Sequence, residues 1–184
     1  MSRTHVSVFG SSQSQPGDSD YEDAVRLGGL LAERGFAVIN GGYAGLMEAV
    51  SVGAARAGGE VLGVTVPSVF LSRTGANSYL TSELAAPNLV ARIGMMLELS
   101  SAAIALPGSL GTLTELLMAW NVNFVARFSE KAPKPIITVG SVWSDVVPML
   151  TERVVTDGDL ITCVDTVDAA VTQLDIQMTR NSGH

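Results

Sequence analysis

Charge is scarce in this chain. Only 16% of its 184 residues are Asp, Glu, Lys or Arg, against 47% apolar residues. That balance excludes a disordered chain, which lacks the apolar surface to form a core. It also points to apolar surface covered by a partner, because a solvated monomer usually carries more charge. Positive charge is scarcer still: 11 Lys plus Arg stand against 18 Asp plus Glu, a net charge of −7, with no basic run. Duplex binders present a basic face, so no nucleic-acid partner is expected. The single cysteine, Cys163, excludes an internal disulfide, and two histidines, His5 and His184, leave no metal-ligand cluster. No apolar run is long enough to span a bilayer, and the N-terminus lacks the long apolar segment of a signal peptide. A soluble cytoplasmic protein with no membrane partner is expected. The patterns G-x-G-x-x-G and G-x-x-x-x-G-K-[ST] are absent too, which disfavours a dinucleotide dehydrogenase and a P-loop NTPase.

What is present alternates. Strands are expected at Val6–Phe9, Phe36–Ile39, Glu60–Val66, Ala102–Leu106, Ile136–Val139 and Ile161–Val164. Helices are expected at about Tyr21–Arg34, Leu46–Arg56, from Pro87 to Leu99, from the Thr112 region to Phe128, at Trp143–Arg153 and at Asp165–Gln173, with a frayed tail. The stretch from Pro67 to Pro87 reads as irregular, either a functional loop or one holding a short helix. Strands alternating with helices predict a Rossmann-like, doubly wound parallel sheet with helices on both faces, as a single domain over residues 1–184. In such a sheet ligands bind beyond the carboxyl ends of the strands. The turns Gly10-Ser11-Ser12, Gly41-Gly42 and Pro107 to Thr112 should therefore converge on one crevice.

The third turn organises the rest. Pro107-Gly108-Ser109-Leu110-Gly111-Thr112-Leu113-Thr114-Glu115 joins an apolar strand to an apolar helix. Backbone N–H groups at such a helix start attract a phosphate. Glu115 has two readings. Its spacing from Thr112 fits a capping box, in which the carboxylate reaches back to the Thr112 N–H. It could instead face the sugar of a bound nucleotide. Arg92, one helix earlier, reads by itself as a surface arginine. Met95, Met96 and Met118 read as core or dimer packing, with Met96 also a crevice candidate beside Ser11 and Gly42. Tyr21 and Tyr43 read as packing residues that could stack on a base, and Arg73 and Glu83 as loop residues able to close over a ligand. Low charge and apolar helices after Pro87 and Thr112 predict a homodimer.

The stretch from Pro107 to Glu115 resembles the P-G-G-x-G-T-x-x-E signature of the Lonely Guy (LOG) family of nucleoside 5′-monophosphate phosphoribohydrolases. Gly10-Ser11-Ser12, Gly41-Gly42-x-x-Gly45-Leu46-Met47 and Gly58-Gly59-x-Val61-x-Gly63-Val64 resemble further family landmarks, so the likeness covers most of the chain. Arg92, fifteen residues before Pro107, stands where the family has its active-site arginine, and Glu115 is the signature glutamate. The chain departs from the pattern at Ser109, where a glycine is usual, at Ile93, where a lysine is usual, and at Ser101, where an acidic residue is usual.

The resemblance implies hydrolysis of the N-glycosidic bond of a nucleoside 5′-monophosphate, of AMP or cytokinin-riboside type, to free base and ribose 5-phosphate. Gly108, Ser109, Gly111 and Thr112 would hold the phosphate. Glu115 would stabilise positive charge on the ribose ring and act on water, and Arg92 would orient Glu115 or contact substrate. No metal or organic cofactor is implied. Some family members carry a lysine decarboxylase label, but that chemistry needs a lysine for the pyridoxal Schiff base. The two lysines, Lys131 and Lys134, share one polar loop away from the expected crevice. The departures at Ser109 and Ile93 keep an alternative open: a non-catalytic carrier of a nucleotide or of molybdenum cofactor. A dimeric scaffold with a vestigial site is a third reading.

Overall fold

Val6, Val8 and Phe9 leave the first strand no wet face, as a strand covered on both sides requires. The computed structural model describes residues 3–69, 75–128 and 132–181. It places that strand, β1 (His5–Phe9), in the middle of a parallel sheet. The chain continues through α1 (Ser19–Glu33), β2 (Ala37–Asn40), α2 (Leu46–Arg56), β3 (Val61–Thr65), β4 (Ser82–Ala85) and α3 (Leu89–Leu99). Then come β5 (Ala102–Ala105), α4 (Leu110–Ala126), β6 (Ile136–Val139), α5 (Ser141–Arg153), β7 (Thr162–Val164) and α6 (Val167–Asn181). The strand order is β4-β3-β2-β1-β5-β6-β7. Winding runs outward from β1 to β4, then crosses back to β5, so the topological switch lies between β1 and β5. The expected Rossmann-like doubly wound sheet is borne out.

Side chains alternate across the sheet. Val6, Val8, Val38, Ile104 and Ile137 face α1, α2 and α6, where Leu27, Leu31, Val50, Val171 and Leu174 complete one core. Phe9, Ile39, Val64, Ala103 and Ile136 face α3, α4 and α5, where Met96, Leu116, Trp120 and Trp143 complete the other. On the first side α1 and α2 meet backbone to backbone. A Cβ at Gly28 would overlap the Val50 carbonyl oxygen, and one at Gly53 the Val25 carbonyl oxygen.

Two expectations need correction. The stretch from Pro67 to Pro87 holds a strand, β4, which pairs in parallel with β3 through Leu62–Ser82 to Thr65–Ala85. All four of its residues are exposed. An edge strand with a polar sequence lacks the apolar pattern that marks a buried one. The last helix also runs beyond Gln173 to Asn181, because Leu174 and Met178 still have core to pack against. Arg73 and Lys131 lie outside the described residues.

Candidate active site

The crevice forms at the C-terminal edge of the switch. Ser11 N–H donates to Pro107 O at 3.1 Å and Leu46 N–H donates to Ser11 O at 2.8 Å, so the turns after β1 and β5 and the start of α2 are tied together. The resulting cleft holds about 190 Å³. Gly10 and Ser12 line it from the first turn, Met47 from α2, and Leu89 and Arg92 from α3. Ser109, Gly111, Thr112 and Glu115 line it from the start of α4.

Helix α4 begins at Leu110, and its first backbone bond runs from Leu113 N–H to Ser109 O at 3.0 Å. The N–H groups of Leu110, Gly111 and Thr112 precede that ladder and stand at the positive end of the helix dipole. Ser109 has φ −96°, a backbone open to any residue, so the serine in place of the signature glycine introduces no strain. The residue before the helix is Ser109, and Thr112 is buried inside the first turn, so the capping box is not formed. The Glu115 carboxylate turns toward Arg92 instead.

Asn88 starts α3, its side-chain oxygen accepting from Ala91 N–H at 2.9 Å. That cap sets Arg92 one turn in, where it is one of the two buried residues of the helix. Arg92 is no surface arginine: it is 8% exposed, and Glu115 is 9% exposed. Arg92 Nη2 donates to Glu115 Oε1 at 3.4 Å, a long bond for a charge pair. Arg92 Nε is buried without a hydrogen-bond partner. Burial pushes the Glu115 carboxyl up to about 7, against the opposing pull of the Arg92 guanidinium. A carboxyl poised there changes its charge near neutral pH, a property concentrated at functional sites.

The other candidates sort differently. Met96 is fully buried in the core between the sheet and α3, and its carbonyl accepts from Ser7 Oγ, so it does not line the crevice. Met47 does. Ser11 ties the turns but leaves the lining to its neighbours Gly10 and Ser12. Gly42, with φ +75°, shapes its turn, while Gly41 abuts the site: a Cβ there would overlap Arg92 Nη2. Gly108 stands exposed beside Ser109 at the rim. Tyr43 is buried, its hydroxyl accepting from Val66 N–H at 2.8 Å, and Tyr21 is buried in the opposite core. Glu83 lies on β4 and accepts from Thr65 Oγ1 at 2.6 Å. Lys134 Nζ donates to Leu97 O and Ser100 O, at the end of α3 remote from Arg92. Gly41 and Met47 were legible only as part of a glycine turn; nothing in their spacing announced a bed for an arginine.

A profile of the SLOG cluster4 family matches residues 3–153. The chain belongs to that family. The kinship with Lonely Guy proteins is borne out as well. A cytokinin riboside 5′-monophosphate phosphoribohydrolase of Mycobacterium tuberculosis is 32% identical over 119 residues, 64% of this chain and 61% of the relative. One of Arabidopsis thaliana is 36% identical over 113 residues, 61% of this chain and 52% of the relative. The chain thus spans about half to three fifths of these relatives. Among solved structures, the molybdenum cofactor binding protein of Rippkaea orientalis superposes with a TM-score of 0.77 at 22% identity, covering 97% of this chain and 99% of that one. That likeness shows the fold.

Among the described residues no group of three or more His, Cys, Asp or Glu could hold a metal ion. No helix there is long and apolar enough to cross a membrane.

Proposed function

We propose that this protein hydrolyses the N-glycosidic bond of a nucleoside 5′-monophosphate. The observation that carries the reading is the buried Arg92–Glu115 pair set beside the free N–H groups of α4. The amides of Gly108 to Thr112 and the Thr112 hydroxyl hold the phosphate. The C1′–N bond breaks with its electron pair going to the base, and positive charge grows on the ribose ring. The Glu115 carboxylate stabilises that charge and takes a proton from the water that adds to C1′. Arg92 favours the ionised carboxylate against the effect of burial, and aims it. The departing base takes up a proton from solvent and Glu115 returns its proton to solvent, so the products are free base and ribose 5-phosphate. The names of the Mycobacterium and Arabidopsis relatives support this substrate class. Among the described residues the one lysine, Lys134, is committed to the end of α3, which speaks against lysine decarboxylation.

The test is incubation with AMP, a cytokinin riboside monophosphate and a panel of other nucleoside monophosphates, with chromatography of the free base. No release from any of them overturns the reading.

One observation favours a second reading, a carrier that binds a nucleotide or molybdenum cofactor without cleaving it. Arg92 is the only cation among the described residues lining the crevice, and Ile93 stands where Lonely Guy proteins usually have a lysine. This reading predicts a co-purifying ligand and no turnover.

The same proposal includes a homodimer. Val90 is 72% exposed, Leu110 77% and Phe128 80%, and Leu117, Met118, Val122 and Val125 continue the apolar surface along α4. A second copy of the chain, docking the same face, would cover it. Cytoplasmic location, a small-molecule ligand rather than a nucleic acid or a membrane, and one folding unit over residues 1–184 belong to this reading.

A further inference from the structure

The Arg92 guanidinium makes few bonds of its own. It has the long bond to Glu115, and its Nε has no partner. What packs around it therefore sets its place. Two neighbours do so: the backbone of Gly41, which leaves no room for a Cβ, and Met47 Sδ, 3.9 Å from Arg92 Nη2. The Gly42 N–H next to the first and the main chain of the second are both bonded by one side chain, Asn40, fully buried at the end of β2. Asn40 Oδ1 accepts from Gly42 N–H at 2.8 Å. Asn40 Nδ2 donates to Met47 O at 3.1 Å and to Ser51 Oγ at 2.9 Å.

We infer that Asn40 is a positioning residue: by clamping the Gly41–Gly42 turn to Met47 it fixes Arg92, and through Arg92 it aims Glu115. Asparagine suits the place because one amide must face an N–H and a C=O at once. An aspartate would set an anionic oxygen against Met47 O, and an alanine would leave the Gly42 N–H buried and unpaired and Met47 O with its bond from Ser51 Oγ. The effect on turnover rests on the hydrolase reading above; the clamp itself does not.

Ser51 separates positioning from simple stabilisation. Ser51→Ala removes the bonds of Ser51 Oγ with Asn40 Nδ2, Met47 O and Asn77 Nδ2 but leaves Asn40's own bonds to Gly42 N–H and Met47 O intact. The experiment compares the full-length parent with Asn40→Ala, Asn40→Ser and Ser51→Ala. Labelled glutamate carboxyls are titrated by carbon NMR, and kcat and KM are measured with a nucleoside monophosphate that the parent cleaves. Among the described residues, Arg92 is the charge acting on Glu115. A displaced Arg92 therefore raises the Glu115 titration point above the parent's. In Asn40→Ala we expect that rise and a fall in kcat of about tenfold or more, with a smaller change in KM. Asn40→Ser, the milder variant should the alanine protein fail to fold, shifts both in the same direction. Ser51→Ala keeps the parental titration and kcat even where its Tm falls. Parental titration and kcat in the folded Asn40 variants would overturn the inference. Should the parent cleave no nucleotide, the hydrolase reading falls, and the NMR titration still decides whether Asn40 sets Arg92.

Discussion

The two faces of the sheet use the same kinds of residue to opposite ends. On the α1–α2–α6 face, apolar side chains turn inward, and glycines at positions 28 and 53 let two helices meet backbone to backbone. On the α3–α4–α5 face, α3 buries only Arg92 and Met96 and leaves Leu89, Val90 and Leu99 outside. Helix α4 buries Glu115 together with Leu116, Ala119 and Trp120 and exposes Leu110, Leu117, Met118, Val122 and Val125. Both faces hold an apolar core. The second also holds a buried charged pair and leaves apolar residues of α3 and α4 outside, an arrangement that stability alone does not call for.

The largest expected effect tests the buried pair. Glu115→Gln should lower kcat by about 10³-fold, the scale of a lost acid–base group, while calorimetry finds nucleotide affinity little changed. Parental turnover in this variant would make the pair structural and erase the contrast between the faces.

The next effect is on stability against pH. The Glu115 carboxyl titrates near 7 in the folded chain and near its ordinary 4.5 when unfolded, with burial as the main cause. Above 7 both states carry the charge and the full burial penalty is present; below 4.5 both are protonated and it is absent. Relative to Glu115→Gln, the parent should lose about 3 kcal/mol of stability as pH rises from 4.5 through 7, read by urea denaturation. A constant difference between the two proteins across that range would contradict it.

A matched pair of glycine variants compares the faces directly. Gly53→Ala puts a methyl group into the Val25 backbone and should reduce stability by about 2 kcal/mol. Gly94→Ala on α3 meets nothing within 4 Å and should raise stability by up to about 1 kcal/mol through helix propensity. Equal harm from both would mean that a second copy already fills the space over α3.

The smallest effect concerns the apolar surface. Val122→Glu should weaken self-association about tenfold, by light scattering across a dilution series, without changing the Glu115 titration. A parent that is monomeric at every concentration would remove the dimer and leave the exposed stripe unexplained.

Local pattern was enough for the winding. Short β-branched runs between glycine turns, and leucines at helical spacing in α1, report burial directly, because burial is what those patterns encode. Ser82–Ala85 escaped because an exposed edge strand is defined by its neighbour, β3, and not by its own composition. The site was legible in its chemistry and not in its wiring. Thr112 and Glu115 carry the spacing of a helix cap whether or not the cap forms. Arg92 has the composition of a surface residue. Only the packing of α3 beside α4 brings Arg92 to Glu115 across 23 positions of chain, and only the Gly41 turn gives the guanidinium a place to lie. The sequence by itself determined the sheet apart from its β4 edge, the glycine turns and which residues could do chemistry there, since these depend on neighbours along the chain. Tertiary structure decided that Glu115 pairs with an arginine and does not cap its helix, because that choice depends on burial and on groups distant in sequence.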